Sequence, residues 1–284
     1  MPAAYNCAME GFVVDQLLRT PSVSVRDVAC PGGCRHRSAE ECARATELVF
    51  PYRGTYVRHV GRNEAVADAS QVLFFNAGEG YCVSHPVDGG DHSLTLTLDE
   101  PVLREIAPKA LLREGGTFAF RHQRLRVDAR AQVLVALLRH SLRERVAEPL
   151  EGESLALTLA QRALGPRTTH VAGSSAGRQK LVDRAKLALA SDLARRWTLA
   201  DVATAVGVSP VYLTQSFQQV EGLPLYQYQL RLRLARALDL MPRYDDLSAL
   251  GMDLGFSSHS HFSAAFTRAY GRSPSAFRRA ALRR

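Results

Sequence analysis

The chain has 284 residues, of which 46% are hydrophobic and 23% charged. That composition excludes disorder over the whole length and suits one large domain or two ordinary ones. The net charge of +8 is one-sided: residues 1–176 hold 20 basic and 20 acidic side chains, whereas residues 177–284 hold 16 basic and 8 acidic.

A neutral half joined to a basic half points to a nucleic-acid-binding domain attached to something else. No apolar run approaches the ~20 residues needed to cross a bilayer, so no membrane partner is expected. The first twenty residues lack a basic cluster followed by an apolar stretch, which predicts no secretory signal and a cytoplasmic protein. In that setting the five cysteines, Cys7, Cys30, Cys34, Cys42 and Cys82, are expected to be reduced thiols.

In chain order, residues 43–98 read as short strands. ELVF, TYVRHV, QVLFF, YCVSH and SLTLTL are separated by the turn-forming clusters PYRG, GRNE, NAGEG and VDGGD, a spacing that predicts a small sandwich or barrel. From Pro101 the texture becomes helical over 101–113, 128–147 and 153–164. Residues 165–179 are rich in Gly, Ser and Thr without periodicity, and read as a linker.

Beyond the linker the periodicity is helical. Leu181, Val182, Ala185, Leu189 and Leu193 share one face. Thr198 and Asp201 form a capping-box-like start, and Gly207 ends the short helix that follows. Ser209-Pro210 starts the next helix, with Ser as N-cap and Pro at the first helical position, where its missing N–H costs nothing. The pattern then recurs. Gly207 and Gly255 are 48 residues apart, Phe217 and Phe266 are 49 apart, and Gly222-Pro224 is echoed by Gly271-Pro274. Two helix-turn-helix units are therefore predicted. The segment 225–241 between them fits a helix about 25 Å long at ~1.5 Å per residue. Such a rod can hold two recognition helices about one DNA turn apart.

These motifs resemble the AraC family of bacterial transcription regulators. The residues that carry the likeness are LADVATAVGVSPVYLTQSFQQVEGLP, QYQLRLRLARALDLM and LGFSSHSHFSAAFTRAYGRSPSAFRR. The resemblance implies an α+β chain in three parts: residues 1–165 as a β-rich, cupin-like barrel with appended helices for effector binding and dimerisation, 166–177 as linker, and 178–284 as an all-α double helix-turn-helix domain. It also implies double-stranded DNA and a small-molecule effector as partners, with homodimerisation and contact with RNA polymerase.

By family position the base-facing residues are Val211, Thr214 and Gln215 in the first recognition helix. In the second they are His259, Ser260, Ser263 and Ala264, the last standing where the family often has Arg. Gln215 suits bidentate pairing with adenine, Thr214 and Ser263 suit several bases, and Val211 suits a thymine methyl. Arg231, Arg233, Arg268, Arg272 and Arg278 are expected to divide between phosphate contacts and internal ion pairs.

A separate signal lies upstream. Cys30 and Cys34 form a C-x3-C pair, Cys42 follows, and His36 lies between. Thiolates and imidazole suit Zn²⁺ or another thiophilic metal, with Cys82 or His85 as further donors, although the usual paired C-x2-C spacing is absent. The same region permits two other readings. One is a cupin-like metal enzyme or thiol/metal sensor with a secondary DNA domain, but the H-x-H…E…H pattern is lacking. The other is a methyl-accepting repair regulator, but the second cysteine pair is lacking.

Overall fold

A computed structural model describes residues 12–165 and 175–281. Cys7 and most of the expected linker lie outside the described residues. Of the linker, Ser175, Ala176 and Gly177 instead open a helix, with the Ser175 hydroxyl accepting from the Arg178 N–H.

Among the described residues the N-terminal half contains ten strands: β1 (Val13–Arg19), β2 (Val23–Cys30), β3 (Glu41–Cys42), β4 (Glu47–Gly54), β5 (Tyr56–Val60), β6 (Asn63–Ala67), β7 (Gln71–Phe75), β8 (Gly80–Ser84), β9 (Asp91–Leu98) and β10 (Arg124–Arg126). They form a six-stranded sheet, β1-β2-β9-β4-β7-β10, and a four-stranded sheet, β3-β8-β5-β6. The cupin-like barrel is therefore an open sandwich among the described residues, with no ladder closing the two sheets on each other.

Three helices, α1 (Glu100–Ile106), α2 (Ala129–Arg143) and α3 (Pro149–Leu164), form a third layer. Leu48, Phe50, Val72 and Phe74 of the six-stranded sheet point toward these helices and pack with Leu138, Leu142 and Leu159. Their neighbours Val49, Leu73 and Phe75 point the other way, into the space between the sheets, with Tyr56 and Val83. A sheet covered on both faces needs apolar residues at every position, which is why ELVF and QVLFF read as unbroken apolar runs rather than alternating ones. The four-stranded sheet is braced by Arg58, which is fully buried. Its guanidinium donates to the Phe74 carbonyl at 2.6 Å and lies 3.9 Å above the Phe75 ring.

The C-terminal half is helical: α4 (Ala176–Ser191), α5 (Leu199–Val206), α6 (Pro210–Glu221), α7 (Leu225–Leu240), α8 (Leu247–Asp253), α9 (His259–Tyr270) and α10 (Pro274–Ala281). The internal repeat is realised as α5-turn-α6 and α8-turn-α9 on either side of α7. Both sides of the Thr198/Asp201 capping box form, Ser209 caps α6 and Ser258 caps α9. Gly207 closes α5 at φ 70°, a left-handed conformation that costs other L-residues. Gly255 meets a tighter constraint, because a Cβ there would fall 2.0 Å from the Ala194 carbonyl oxygen. Leu213, Phe217 and Tyr228 centre one core; Leu250, Phe262 and Phe266 centre the other.

The two halves are packed together. Arg53 of β4 makes a two-pronged contact with Asp239 of α7 at 2.9 and 3.2 Å. Arg139 of α2 reaches the same carboxylate at 2.7 Å, and Arg236 also bonds to it. Arg124 of β10 pairs with Asp183 of α4 at 3.1 Å, and the Tyr228 hydroxyl donates to Asp68.

Candidate nucleic-acid interface

Each recognition helix buries one stripe and leaves another to solvent. On α6, Leu213, Ser216, Phe217 and Val220 are buried, whereas Val211, Thr214, Gln215 and Gln218 are exposed along one face, as the 3.6-residue period requires. Val211 is 67% exposed. The Thr214 hydroxyl donates to the Pro210 carbonyl at 2.9 Å, leaving its lone pairs outward. The exposed stripe of α6 carries no charged side chain. Its uncharged amide, hydroxyl and aliphatic groups are of the kinds that suit base edges more than phosphates.

On α9, His259, Ser260, Ala264, Thr267 and Arg268 are exposed and Ser263 is half-buried. Together these six line an open concavity on the surface. His259 Nδ1 lies 3.2 Å from the Ser248 hydroxyl, which joins the start of α9 to α8. Gln218 and Thr267 are additions to the expected sets. The signal was available, since Gln218 lies four and three residues beyond Thr214 and Gln215.

The arginines divide sharply. Arg231, Arg268 and Arg272 are exposed. Arg233 is not a phosphate contact: it is buried, and its guanidinium donates to the carbonyls of Leu193, Ala194, Arg195 and Gly255 at 2.8–3.0 Å. It ties the end of α4 to the turn of the second unit. Arg278 is half-buried and donates to the Tyr244 and Asp245 carbonyls at 2.7 and 3.1 Å. The five arginines were expected to divide between phosphate contacts and internal ion pairs; the two that turn inward, Arg233 and Arg278, bond backbone carbonyls rather than carboxylates.

A second feature lies between the sheets of the N-terminal half. A cavity of about 200 Å³ is lined largely by apolar and aromatic side chains such as Val49, Tyr56, Phe75 and Val83, with Arg26, Glu47, His85 and Asp91 among the polar groups. Arg26 and Glu47 pair at 2.5 Å. Burial raises the Glu47 pKa, and Arg26 offsets this only in part. A mostly apolar cavity with a few convergent polar groups is the usual form of a small-molecule site.

The cysteines are not gathered as their spacing implied. Cys42 is exposed on β3 and His36 is exposed in the preceding loop. Cys30 and Cys34 instead turn toward His85, whose Nδ1 lies 3.1 Å from the Cys34 sulfur and whose Nε2 lies 2.6 Å from Asp91. Burial disfavours charge on His85, but its hydrogen bonds to Asp91, Cys30 and Cys34 outweigh this and raise its pKa to about 11.

Known proteins place the two halves in context. Residues 202–280 match a family described as a helix-turn-helix domain. This part of the chain is a helix-turn-helix domain, and its two complete units on one connecting helix agree with the resemblance to the AraC family.

The probable transcriptional regulator LumQ of Photobacterium leiognathi is 29% identical over 224 residues, covering 77% of this chain and 86% of that protein. The transcriptional activator RhaR of Klebsiella pneumoniae is 30% identical over 53% of this chain and 54% of its own length. Among solved structures, a transcriptional regulator with an AraC-type DNA-binding domain from Chromobacterium violaceum is 30% identical over 37% of this chain and 97% of its own, at a TM-score of 0.35. A structure of an apo ToxT variant from Vibrio cholerae is 13% identical over 92% of this chain and 98% of its own, at a TM-score of 0.37.

Proposed function

We propose that this chain is a sequence-specific DNA-binding transcription regulator governed by a small molecule held between the sheets of its N-terminal half. The observation that carries the reading is the pair of recognition helices, α6 and α9, each presenting a polar, solvent-facing stripe from a separately packed turn unit. The transcription regulators that resemble it support the assignment, as does the basic excess after residue 176. In this reading residues 1–165 sense and dimerise, 166–174 link, and 175–284 bind double-stranded DNA and present the protein to RNA polymerase in the cytoplasm. No catalytic step is assigned to it.

The mechanism is a shift between two conformations that bind the effector unequally. Strand β4 connects the parts: Glu47 and Val49 line the cavity, and Arg53 on the same strand holds Asp239 of the connecting helix. An effector that displaces β4 therefore acts directly on the brace that orients both turn units.

Selection of bound sequences from random duplex DNA with the full chain tests this. The expected result is a motif with two half-elements about 10–10.5 base pairs apart, bound less tightly as salt rises. Failure to enrich any motif, with and without a panel of small-molecule effectors, overturns the reading.

A further inference from the structure

The geometry points to a site for one thiophilic divalent cation, of zinc type, held by the Cys30 thiolate, the His85 imidazole and the Asp91 carboxylate, with Cys34 fixing the imidazole from its other nitrogen. It stands independently of the DNA-binding function.

The site is assembled from two stretches of chain, residues 30–34 and 85–91. Cys30 ends β2, Asp91 begins β9 directly opposite it, His85 follows β8 in the other sheet, and Cys34 lies on the loop after β2. Ligand atoms of Cys30, His85 and Asp91 lie within 4.8 Å of one another, and all three residues are buried. Bonds of ~2.0–2.3 Å to tetrahedral Zn²⁺ place ligand atoms roughly 3.3–3.8 Å apart, so shifts of about 1 Å in the ligand atoms bring them to a common cation.

The backbone around the site is built for close approach. A Cβ on Gly32 would meet the Gly90 backbone at 2.7 Å, and one on Gly90 would meet the Cys30 carbonyl oxygen at 2.0 Å. The CPGGC loop and the DGGD turn therefore interlock only because both carry glycine there. The His85 N–H donates to the Cys34 carbonyl at 2.7 Å, which fixes the loop beside the imidazole. The Ser93 hydroxyl donates to Asp91 Oδ2 at 3.2 Å, holding the carboxylate from behind. Outer partners of this kind are what orient metal ligands.

The donor chemistry decides the kind of cation. One sulfur, one nitrogen and one oxygen form a borderline set that suits zinc and disfavours calcium or magnesium. His85 and Asp91 also line the cavity between the sheets. Three protein ligands leave a fourth position of a tetrahedral ion on the cavity side, where a small molecule with an anionic donor can bind directly to it.

The test uses the full chain purified without chelator from zinc-supplemented culture. About one equivalent of zinc per chain is expected, and replacement by Co²⁺ should give visible tetrahedral bands with a sulfur-to-cobalt charge-transfer band in the near ultraviolet. Cys30→Ala should abolish the charge-transfer band, and Cys34→Ala should weaken metal affinity about 10–100-fold while retaining it. Cys42→Ala and His36→Ala should leave stoichiometry and spectrum unchanged. Should a site variant fail to fold, zinc release from the wild-type chain on thiol modification, monitored with a colorimetric chelator, reads the same ligation. Wild-type chain that folds without metal and takes up neither Zn²⁺ nor Co²⁺ at micromolar concentrations overturns the proposal. So does a charge-transfer band that persists in Cys30→Ala or disappears in Cys42→Ala.

Discussion

Gln215 and Arg268 occupy exposed stripes of the two recognition helices, but their chemistry predicts opposite phenotypes. A glutamine amide pairs with the adenine edge, so Gln215→Ala should cost about 1–3 kcal/mol at one base pair and relax specificity there. An arginine on a phosphate carries no base preference. Arg268→Ala should therefore weaken matched and mismatched duplexes alike and lower the slope of log affinity against log salt by about 1. Titrations of the selected site and its single-base variants across several salt concentrations separate the two. Uniform weakening by Gln215→Ala would remove it from the base-reading set. Arg233 shows what residue type conceals. It lies two positions from Arg231, and on a helix two positions is about 200°, so the two arginines face opposite ways. One is exposed; the other is enclosed by four backbone carbonyls. Their helical phase separated them, but composition and family position grouped them together.

At the scale of elements, the turn units were legible because their determinants are local. Caps, αL glycines and apolar periodicity lie within a few residues of the structure they set. Ser209 accepts from the Tyr212 N–H at 3.2 Å, so Ser209→Ala should destabilise the domain by about 1 kcal/mol. Gly207→Ala meets no neighbour within 4 Å but must adopt φ 70°, which costs about 1–2 kcal/mol. Chemical denaturation of the full chain measures both, and a loss near zero at Gly207 would mean that the turn relaxes. The N-terminal half was less legible. Strands β1 and β2 lie outside the segments whose composition reads as strand, although Val23, Ser24, Val25 and Arg26 alternate between buried and half-exposed in the strand period. The short β10 carries no run long enough to read; its place is set by pairing with β7. The cysteine cluster misled for a related reason. Spacing along the chain grouped Cys42 and His36 with Cys30 and Cys34, but β3 carries Cys42 to the edge of the four-stranded sheet, where it pairs with β8. The partners that approach Cys30 and Cys34 are His85, from the end of β8, and Asp91, which adjoins Cys30 only through the β2–β9 register.

For the molecule as a whole, the decisive feature is the carboxylate of Asp239. It is buried at the junction of the halves and shared by Arg53, Arg139 and Arg236. Burial alone would raise its pKa; Arg139 and Arg53 more than offset this and hold it below the ordinary 3.8. A carboxyl whose pKa is lower folded than unfolded contributes stability above the unfolded value and loses it as pH falls through the folded one. The contribution of Asp239 is therefore complete at neutral pH and declines below about pH 4. Glu221, buried beside Lys186 at 2.6 Å and likewise lowered in pKa, declines in the same direction. Asp239→Asn keeps the shape but leaves three guanidinium groups facing a neutral amide. Breaking a buried ion pair from one side costs about 3–5 kcal/mol. The variant should lose that amount at pH 7, and its stability should fall less steeply than wild type between pH 5 and pH 3, because the titrating partner has gone. Urea unfolding of both proteins across that range measures the two effects together. Equal acid limbs would show that Asp239 does not titrate with folding, and the junction would then owe its strength to the apolar contacts of Ala136 with Leu234 and Leu238 rather than to charge.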